Sequence, residues 1–254
     1  MVLVYHKIDH KPEWGINVVS PVRLEQQLDF LQRLGYSFYG ITAYLTRRSI
    51  GDQKALSVMF DDAYENVYQF ALPILQSKGI EATLGVISSF VGLENQWDFT
   101  MGKRFRHATW EQLLEMTAHG WEIASHSCSH NYLSSMSINS QLREMAHSRS
   151  TLETRLGVSV KHLIYPFGRA NKKTAGLALM AGYQSASILG QILSPKSPYF
   201  LPRRPVYCFD TPSGLLRKLR NSPFETAKEK TMAFGSKLSI LYQQLSGNPH
   251  VRHC

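Results

Sequence analysis

The chain has 254 residues, 43% of them hydrophobic and 19% charged, which is enough to bury one substantial core. Lys and Arg outnumber Asp and Glu by 28 to 19, and the formal charge of +9 would suit an anionic glycan, a nucleic acid or a lipid head-group surface. No apolar stretch approaches the roughly 20 residues that span a bilayer, and no nucleic-acid motif accompanies the basic residues.

The beginning of the sequence moves directly into strand-like residues, without the charged and apolar regions of a secretory signal peptide. We therefore expect a cytoplasmic or cell-envelope-associated protein. Nucleic acid is not an expected partner, whereas the basic residues could contact a membrane surface. The oligomeric state is left open by the sequence.

Strand and helix signals alternate along the chain. Residues 2–5 form a first predicted strand, and Ser20-Pro21 supplies a cap and a first-turn proline for a helix with leucines on one face. Further strands are predicted at 55–60, 82–87, 121–125, 162–165 and 184–189, and further helices at 65–78, 109–120, 140–156 and 172–181. Strand–helix–strand units with right-handed crossovers predict a parallel α/β sheet, here closed into a barrel.

Two segments interrupt this alternation. Residues 90–107 form a long predicted loop that is rich in aromatic and basic residues, and Trp97 within it could cover a bound substrate. After Pro212 the pattern changes to a helix, a loop and a terminal helix at about residues 225–245. We therefore expect one main domain over residues 1–212 and a C-terminal helical extension over residues 213–254.

Acidic and imidazole side chains follow two of the predicted strands. Asp61 and Asp62 end the strand at 55–60, and His126 and His130 follow the strand at 121–125. In parallel α/β architectures the carboxyl ends of the strands meet at one mouth, so these side chains should converge. One Asp with two His is the ligand set of many catalytic zinc sites. We predict that Asp62, His126 and His130 bind a divalent metal, with Zn²⁺ the expected ion.

The residues around these ligands allow more than one arrangement. If the chain forms a helical turn after the strand, His126 and His130 lie on one side and Cys128 points away from them. If the strand continues instead, Cys128 lies on the same side as the two histidines. We favour the helical turn. Asp61 is suited to accept a proton from attacking water, and the simpler alternative is a helix cap. The strand at 162–165 ends in a rigid turn in which Phe167 could present its backbone N–H.

Three sequence motifs together resemble a known family. Phe60-Asp61-Asp62, the segment 126–130 and Tyr165-Pro166-Phe167-Gly168 are similar to the first three motifs of the polysaccharide deacetylases, carbohydrate esterase family 4 with the NodB homology domain. The resemblance covers about residues 2–207 and includes Val4-Tyr5-His6, as in the branch that acts on poly-N-acetylglucosamine and related exopolysaccharides. It implies a distorted (β/α) barrel of about seven parallel strands, a divalent metal that is usually zinc, and removal of acetyl from N-acetylated sugars.

The resemblance also implies a role for individual residues. Asp61 matches the catalytic base, and Asp62, His126 and His130 match the metal ligands. Phe167 stands where the family often has Tyr. The backbone N–H at this position would help to hold the oxyanion, and Phe serves as well as Tyr because the main chain makes the contact.

Other implied roles concern the substrate and the base. Tyr165 and Pro166 belong to the third motif and would contact the substrate, while Ile164 replaces an arginine that the family often carries two residues before the motif proline. Leu201-Pro202-Arg203 resembles a late motif whose arginine holds the base carboxylate. Arg204 lies next to Arg203, so either arginine could take that place.

The general acid has no clear counterpart in the sequence. The late Leu-x-His motif that commonly supplies it is absent, and the histidines after Arg203 are His250 and His253, near the end of the chain. His6 follows the first strand and should lie at the same mouth as Asp61, with an ordinary pKa of about 6.5 that suits proton transfer. Alternatively, His6 orients a metal ligand or Asp61.

The expected function is that of a metal-dependent hydrolase that removes N-acetyl groups from N-acetylhexosamine in a polymeric, oligosaccharide or lipid-linked glycan. Two alternatives remain open. A lipid-linked sugar deformylase would use the same ligands, and a catalytically weak glycan-binding relative would explain the missing late histidine. The presence of Asp61 argues against the binding module, because a module that only binds needs no base. A serine hydrolase is disfavoured, since no Gly-x-Ser-x-Gly elbow occurs.

Overall fold

A computed structural model of the protein describes residues 1–11, 16–95, 104–190, 197–229 and 231–232. Trp97 and most of the predicted terminal helix at 225–245 lie outside these residues. Within the described ranges, no helix is both long and apolar enough to cross a membrane.

Ten strands in the described residues, all in parallel pairings with one another, organise the fold. They are β1 (Val2–Tyr5), β2 (Lys7–Ile8), β3 (Val18–Val19), β4 (Ser37–Phe38), β5 (Ala55–Phe60), β6 (Thr83–Val86), β7 (Glu122–Ser125), β8 (His162–Ile164), β9 (Ser185–Leu189) and β10 (Leu201–Pro205). Seven of them run in the order β1-β10-β9-β8-β7-β6-β5, and β5 pairs again with β1, which closes the barrel. The predicted seven-stranded parallel barrel is therefore confirmed. Strand β4 adds to the beginning of β5, and β2 pairs with β3.

Seven α-helices with both ends inside the described ranges accompany the strands. They are α1 (Pro21–Arg33), α2 (Ile41–Ser49), α3 (Leu72–Ser77), α4 (Trp110–Ala118), α5 (Ile138–Leu156), α6 (Lys172–Met180) and α7 (Pro212–Leu219). The predicted caps are confirmed: Ser20 Oγ accepts a hydrogen bond from Arg23 N, and Thr109 and Gln112 form a capping box. Helix α7 packs against α1, and residues 223–229 are helical. The division of the chain at residue 212 stays a prediction.

The helix predicted over residues 65–78 is divided into two parts. A π-helical segment, Val67–Ala71, precedes α3, and the N–H of Leu72 bonds the carbonyl of Val67, five residues back. Pro73 follows directly and has no N–H to bond the carbonyl four residues back. The widened turn before the proline accommodates this missing donor.

The barrel strands are covered on both faces, which explains why they are continuous apolar runs in the sequence. Alternate residues of β1 and β5 point inward, and Val2, Val4 and Met59 belong to an inner core. The residues between them, such as Leu3 and Val58, belong to the larger core that also includes helix residues. The inner and outer cores together fix the strand ends on which the candidate site is built.

Candidate functional site

Three potential metal ligands converge where β5 and β7 end. The donor atoms of Asp62, His126 and His130 all lie within 4.8 Å of one another, and all three side chains are buried. Asp62 Oδ1 is 3.5 Å from His126 Nε2 and 3.6 Å from His130 Nε2. The structure therefore brings together the three residues that the sequence predicts as ligands.

The protonation states of the two histidines allow their ring nitrogens to bind a cation. His126 Nδ1 lies 2.8 Å from the Ile164 carbonyl oxygen, which can only accept, so Nδ1 carries the hydrogen and Nε2 presents a lone pair toward Asp62. Burial lowers the pKa of His126 to about 4 and holds the pKa of His130 well below its ordinary value. Two neutral imidazoles and one carboxylate fit a divalent metal, and two nitrogens with one oxygen are typical of zinc.

The chain does not continue as a helical turn after β7. Ser127 and His130 adopt left-handed φ values of 63° and 56°, so the predicted turn type is wrong although the predicted proximity of the two imidazoles is correct. Such residues cost about 1–3 kcal/mol each and persist only where the surroundings hold them. The buried Glu144 carboxylate accepts hydrogen bonds from the backbone N–H groups of Cys128 and Ser129. These bonds hold the turn between the two histidines.

Cys128 was the other candidate ligand in this segment. Its Sγ lies 2.9 Å from Ser89 Oγ. Among the described residues, the converging group of metal-binding donors contains Asp62 and the two histidines without it. This placement agrees with the expectation that Cys128 does not point toward the ligands.

Asp61 forms a buried ion pair with Arg203. Arg203 Nη1 donates to Asp61 Oδ1 at 2.6 Å, and the side chains are 1% and 5% exposed. Burial alone would raise the pKa of Asp61, but the charge and hydrogen bond of Arg203, together with smaller contributions from His126 and His6, outweigh it and hold this pKa at about 2. Asp61 is therefore a carboxylate at neutral pH. The alternative partner, Arg204, instead pairs with Glu229.

His6 and Phe167 adjoin this group. Tyr5 is in register with Phe60, and Asp61 N donates to the Tyr5 carbonyl at 2.9 Å, so His6 and Asp61 leave neighbouring strands side by side. The Phe167 ring centroid lies 4.9 Å from that of His130, and Phe167 has a φ of 57°. The turn also needs Gly168, since a Cβ there would lie 2.1 Å from Leu189 Cβ. The turn thus places the Phe167 ring next to His130.

The predicted substrate contacts are less exposed than the sequence suggests. Tyr165 is fully buried in the larger core, and Pro166 is also buried. A contact of either residue with substrate stays a prediction, and Trp97 lies outside the described residues. A further residue, His107, was not predicted from the sequence; its Nδ1 lies 2.6 Å from the main-chain oxygen of Asp62. No local pattern marks it, because the two residues are 45 positions apart.

Comparisons with known proteins agree with this site. The sequence model of the polysaccharide deacetylase family matches residues 48–186, more than half of the chain. A Bacillus subtilis protein described as a polysaccharide deacetylase, YxkH, is 29% identical over 187 residues, covering 72% of this chain and 62% of that protein. The poly-β-1,6-N-acetyl-D-glucosamine N-deacetylase of Staphylococcus aureus strain MSSA476 is 28% identical over 201 residues, covering 73% and 66%. The matched part of this chain thus corresponds to about two thirds or less of the length of these relatives.

Solved structures share the fold. The deacetylase PplD of Streptococcus pyogenes, determined in complex with acetate, superposes with a TM-score of 0.75 at 25% identity and covers 86% of this chain and 96% of its own. IcaB of Ammonifex degensii superposes with a TM-score of 0.73 at 24% identity and the same coverage. The barrel described above is therefore shared with both proteins.

Proposed function

The chain belongs to the polysaccharide deacetylase family, and from this we propose that it hydrolyses the acetamide group of N-acetylhexosamine residues in a glycan and releases acetate. The observation that carries the proposal is the position of an arginine-held carboxylate, Asp61, directly beside the group formed by Asp62, His126 and His130. A site that only binds glycans has no need for a base held ionised at this position.

We propose a polymer of N-acetylglucosamine as the substrate. Staphylococcus aureus proteins whose names specify poly-β-1,6-N-acetyl-D-glucosamine match 73% of this chain. The opening Val4-Tyr5-His6 supports the same branch of the family. An oligosaccharide or a lipid-linked sugar carrying the same acetamide would present the same reacting group.

Asp62, His126 and His130 would hold a divalent metal, for which zinc is our proposal. When bound, such an ion polarises the acetamide carbonyl and lowers the pKa of a water molecule. The low pKa values that burial gives the two histidines keep their lone pairs available for it at neutral pH.

The other residues of the site would handle protons and charge. Asp61 accepts the proton of the attacking water, and Arg203 keeps this carboxylate ionised and oriented. The backbone N–H of Phe167 donates to the oxyanion that forms from the carbonyl oxygen. As the carbon–nitrogen bond breaks, protonated His6 donates its proton to the departing sugar nitrogen, which leaves as a neutral amine. This amine takes up a second proton from water at neutral pH and becomes a cationic glucosamine-type residue.

Two neighbouring aspartates provide the central test of this proposal. Asp61→Asn should retain the metal and lose about 10²- to 10⁴-fold in turnover, because it removes a general base. Asp62→Asn should weaken metal binding itself. Metal content and acetate release from poly-N-acetylglucosamine and chitooligosaccharides measure the two effects. If turnover of Asp61→Asn stays within a few-fold of that of the unmodified protein, Asp61 is not the general base. If the unmodified protein releases formate instead of acetate, the deformylase function is favoured.

The role of His6 is tested with a substrate whose leaving group needs no protonation. On an activated aryl acetate, His6→Ala should retain most of its turnover while it loses turnover on the sugar amide. Equal losses on both substrates would exclude the acid role. They would leave His6 as a residue that orients Asp61 or a metal ligand.

A further inference from the structure

A buried histidine that has no part in the reaction above contacts the main chain of a proposed metal ligand. His107 Nδ1 lies 2.6 Å from the Asp62 carbonyl oxygen, and the His107 side chain is 2% exposed. Because a carbonyl oxygen only accepts, Nδ1 carries the hydrogen and donates it. Among the described residues, the converging donor group does not include His107, whose ring N–H instead reaches the Asp62 backbone.

The main chain at Asp62 requires such support. Asp62 and Ala63 are consecutive non-glycine residues with left-handed φ values of 68° and 50°. This region is sparsely populated by residues that carry a Cβ, and it persists only where neighbouring groups hold it. A return of Asp62 to the right-handed region would turn its carboxylate away from His126 and His130.

The segment that carries His107 runs along this turn and is bonded to it. Ala108 N donates to the Ala63 carbonyl at 2.8 Å, and Glu65 N donates to the Arg106 carbonyl at 2.9 Å. These backbone bonds are made by the residues on either side of His107, and they reach the two positions 63 and 65 that follow Asp62. The strained turn is thus held from outside by residues 106–108.

Packing fixes the direction in which the His107 ring points. The ring stacks on Tyr64 with centroids 4.9 Å apart and planes 20° from parallel, and its centroid lies 5.8 Å from that of Phe90. Tyr64 is itself held, since Asn95 Nδ2 donates to its hydroxyl. The donor at Nδ1 is therefore directed at the Asp62 carbonyl before any metal binds.

We propose that His107 is a positioning residue that holds the Asp62 main chain in its left-handed conformation and thereby sets the affinity of the site for a divalent metal. This inference rests on the proposed function, because it takes Asp62, His126 and His130 as the metal ligands. In this proposal the hydrogen bond donated by the His107 N–H, more than the space that the ring fills, sets the metal affinity.

Two substitutions separate the donor from the volume. Asn places an amide N–H near the position of Nδ1, so His107→Asn keeps a donor, whereas His107→Leu fills space without one. His119→Leu, at an exposed histidine that follows α4, is the matched control. The zinc affinity of each metal-free, full-length protein is measured by competition with a chromophoric chelator, and its thermal unfolding is followed in parallel.

We expect His107→Leu to bind zinc about 10- to 100-fold more weakly, the usual effect of losing a group that orients a metal ligand, while His107→Asn and His119→Leu retain most of the affinity. Equal zinc affinity of His107→Leu and the unmodified protein would overturn the inference while leaving the metal site intact. Equal weakening in the Asn and Leu variants, with equally lowered unfolding temperatures, would also overturn it and make His107 a core residue only. If the unmodified protein itself fails to bind zinc, the proposed metal site fails first.

Discussion

Two consecutive arginines of β10 are both buried, and they serve different parts of the molecule. Arg203 lies inside the barrel, where its Nη1 contacts Asp61 Oδ1 at 2.6 Å. Arg204 lies on the outer side, and its Nε is 2.7 Å from Glu229 Oε2. The outer cluster also contains Asp210, Lys218, Glu225 and Lys228.

The two regions differ in the number of oppositely charged partners that each carboxylate contacts. In the outer cluster each carboxylate is shared: Asp210 contacts Lys218 and Lys228, and Glu225 contacts Lys228 and Arg217. Inside the barrel one arginine serves one carboxylate, beside the ligand group. Buried ion pairs are weak evidence for stability, because desolvation offsets much of their attraction. The outer cluster is a network of shared ion pairs, whereas the inner pair holds a single carboxylate, our proposed base, in its ionised form.

The largest effect on activity should come from the inner arginine. Arg203→Met removes the guanidinium that keeps the pKa of Asp61 low, so the carboxyl group becomes harder to ionise and turnover should fall about 100-fold or more. Breaking a buried pair also costs about 3–5 kcal/mol of unfolding free energy. Acetate release as a function of pH should show the acid limb moving to higher pH. Unchanged turnover at neutral pH would contradict the contrast between the two arginines.

The outer arginine should affect stability and leave the chemistry intact. Arg204→Met separates Glu229 from its nearest cation but leaves Lys218 Nζ at 3.6 Å, so the loss of unfolding free energy should be smaller, about 1–3 kcal/mol. Urea denaturation measures this loss, and kcat of the folded protein should stay within a few-fold of the unmodified value. A drop in kcat as large as that of Arg203→Met would show that the two regions are coupled.

The smallest effect is a change in how stability depends on pH. His162 lies in β8, and burial, with a further contribution from the Arg203 charge, lowers its pKa to about 3. The unfolded chain takes up this proton near its ordinary pKa of about 6.5, so the contribution of His162 to stability is complete above that pH and is lost as pH falls toward 3. His162→Asn should remove up to about 1.4 kcal/mol per pH unit from the slope of unfolding free energy between these values. An unchanged slope would contradict a neutral buried His162.

The main elements of the site could be predicted because they depend on strand ends. A parallel barrel brings the carboxyl ends of its strands to one mouth, so Asp61, Asp62 and His126 needed only correct strand assignments to be placed together. Helix caps such as Ser20 and Thr109 were also predictable, since the bonds that define them lie within three residues.

Other features depend on contacts that no local pattern records. Strands β2, β3 and β4 have two residues each, too few for a periodic signal. The left-handed residues Ser127 and Asp62 are not glycines, so the sequence does not mark their turns. The choice between Arg203 and Arg204 depends on which of them points into the barrel, and the role of His107 depends on a contact across 45 residues.

The pairing of β1 with β10 has a consequence for folding. Val2 pairs with Arg203, so this contact joins residues about 200 positions apart, the kind of long-range pairing that slows folding. Strand β1 can pair with β5 while its other edge is still open. Arg203 lies on β10, so Asp61 lacks its ion-pair partner until β10 has joined the barrel. We therefore expect the proposed base to be harder to ionise in a barrel that lacks β10, so any recovery of deacetylase activity during refolding should follow the docking of β10.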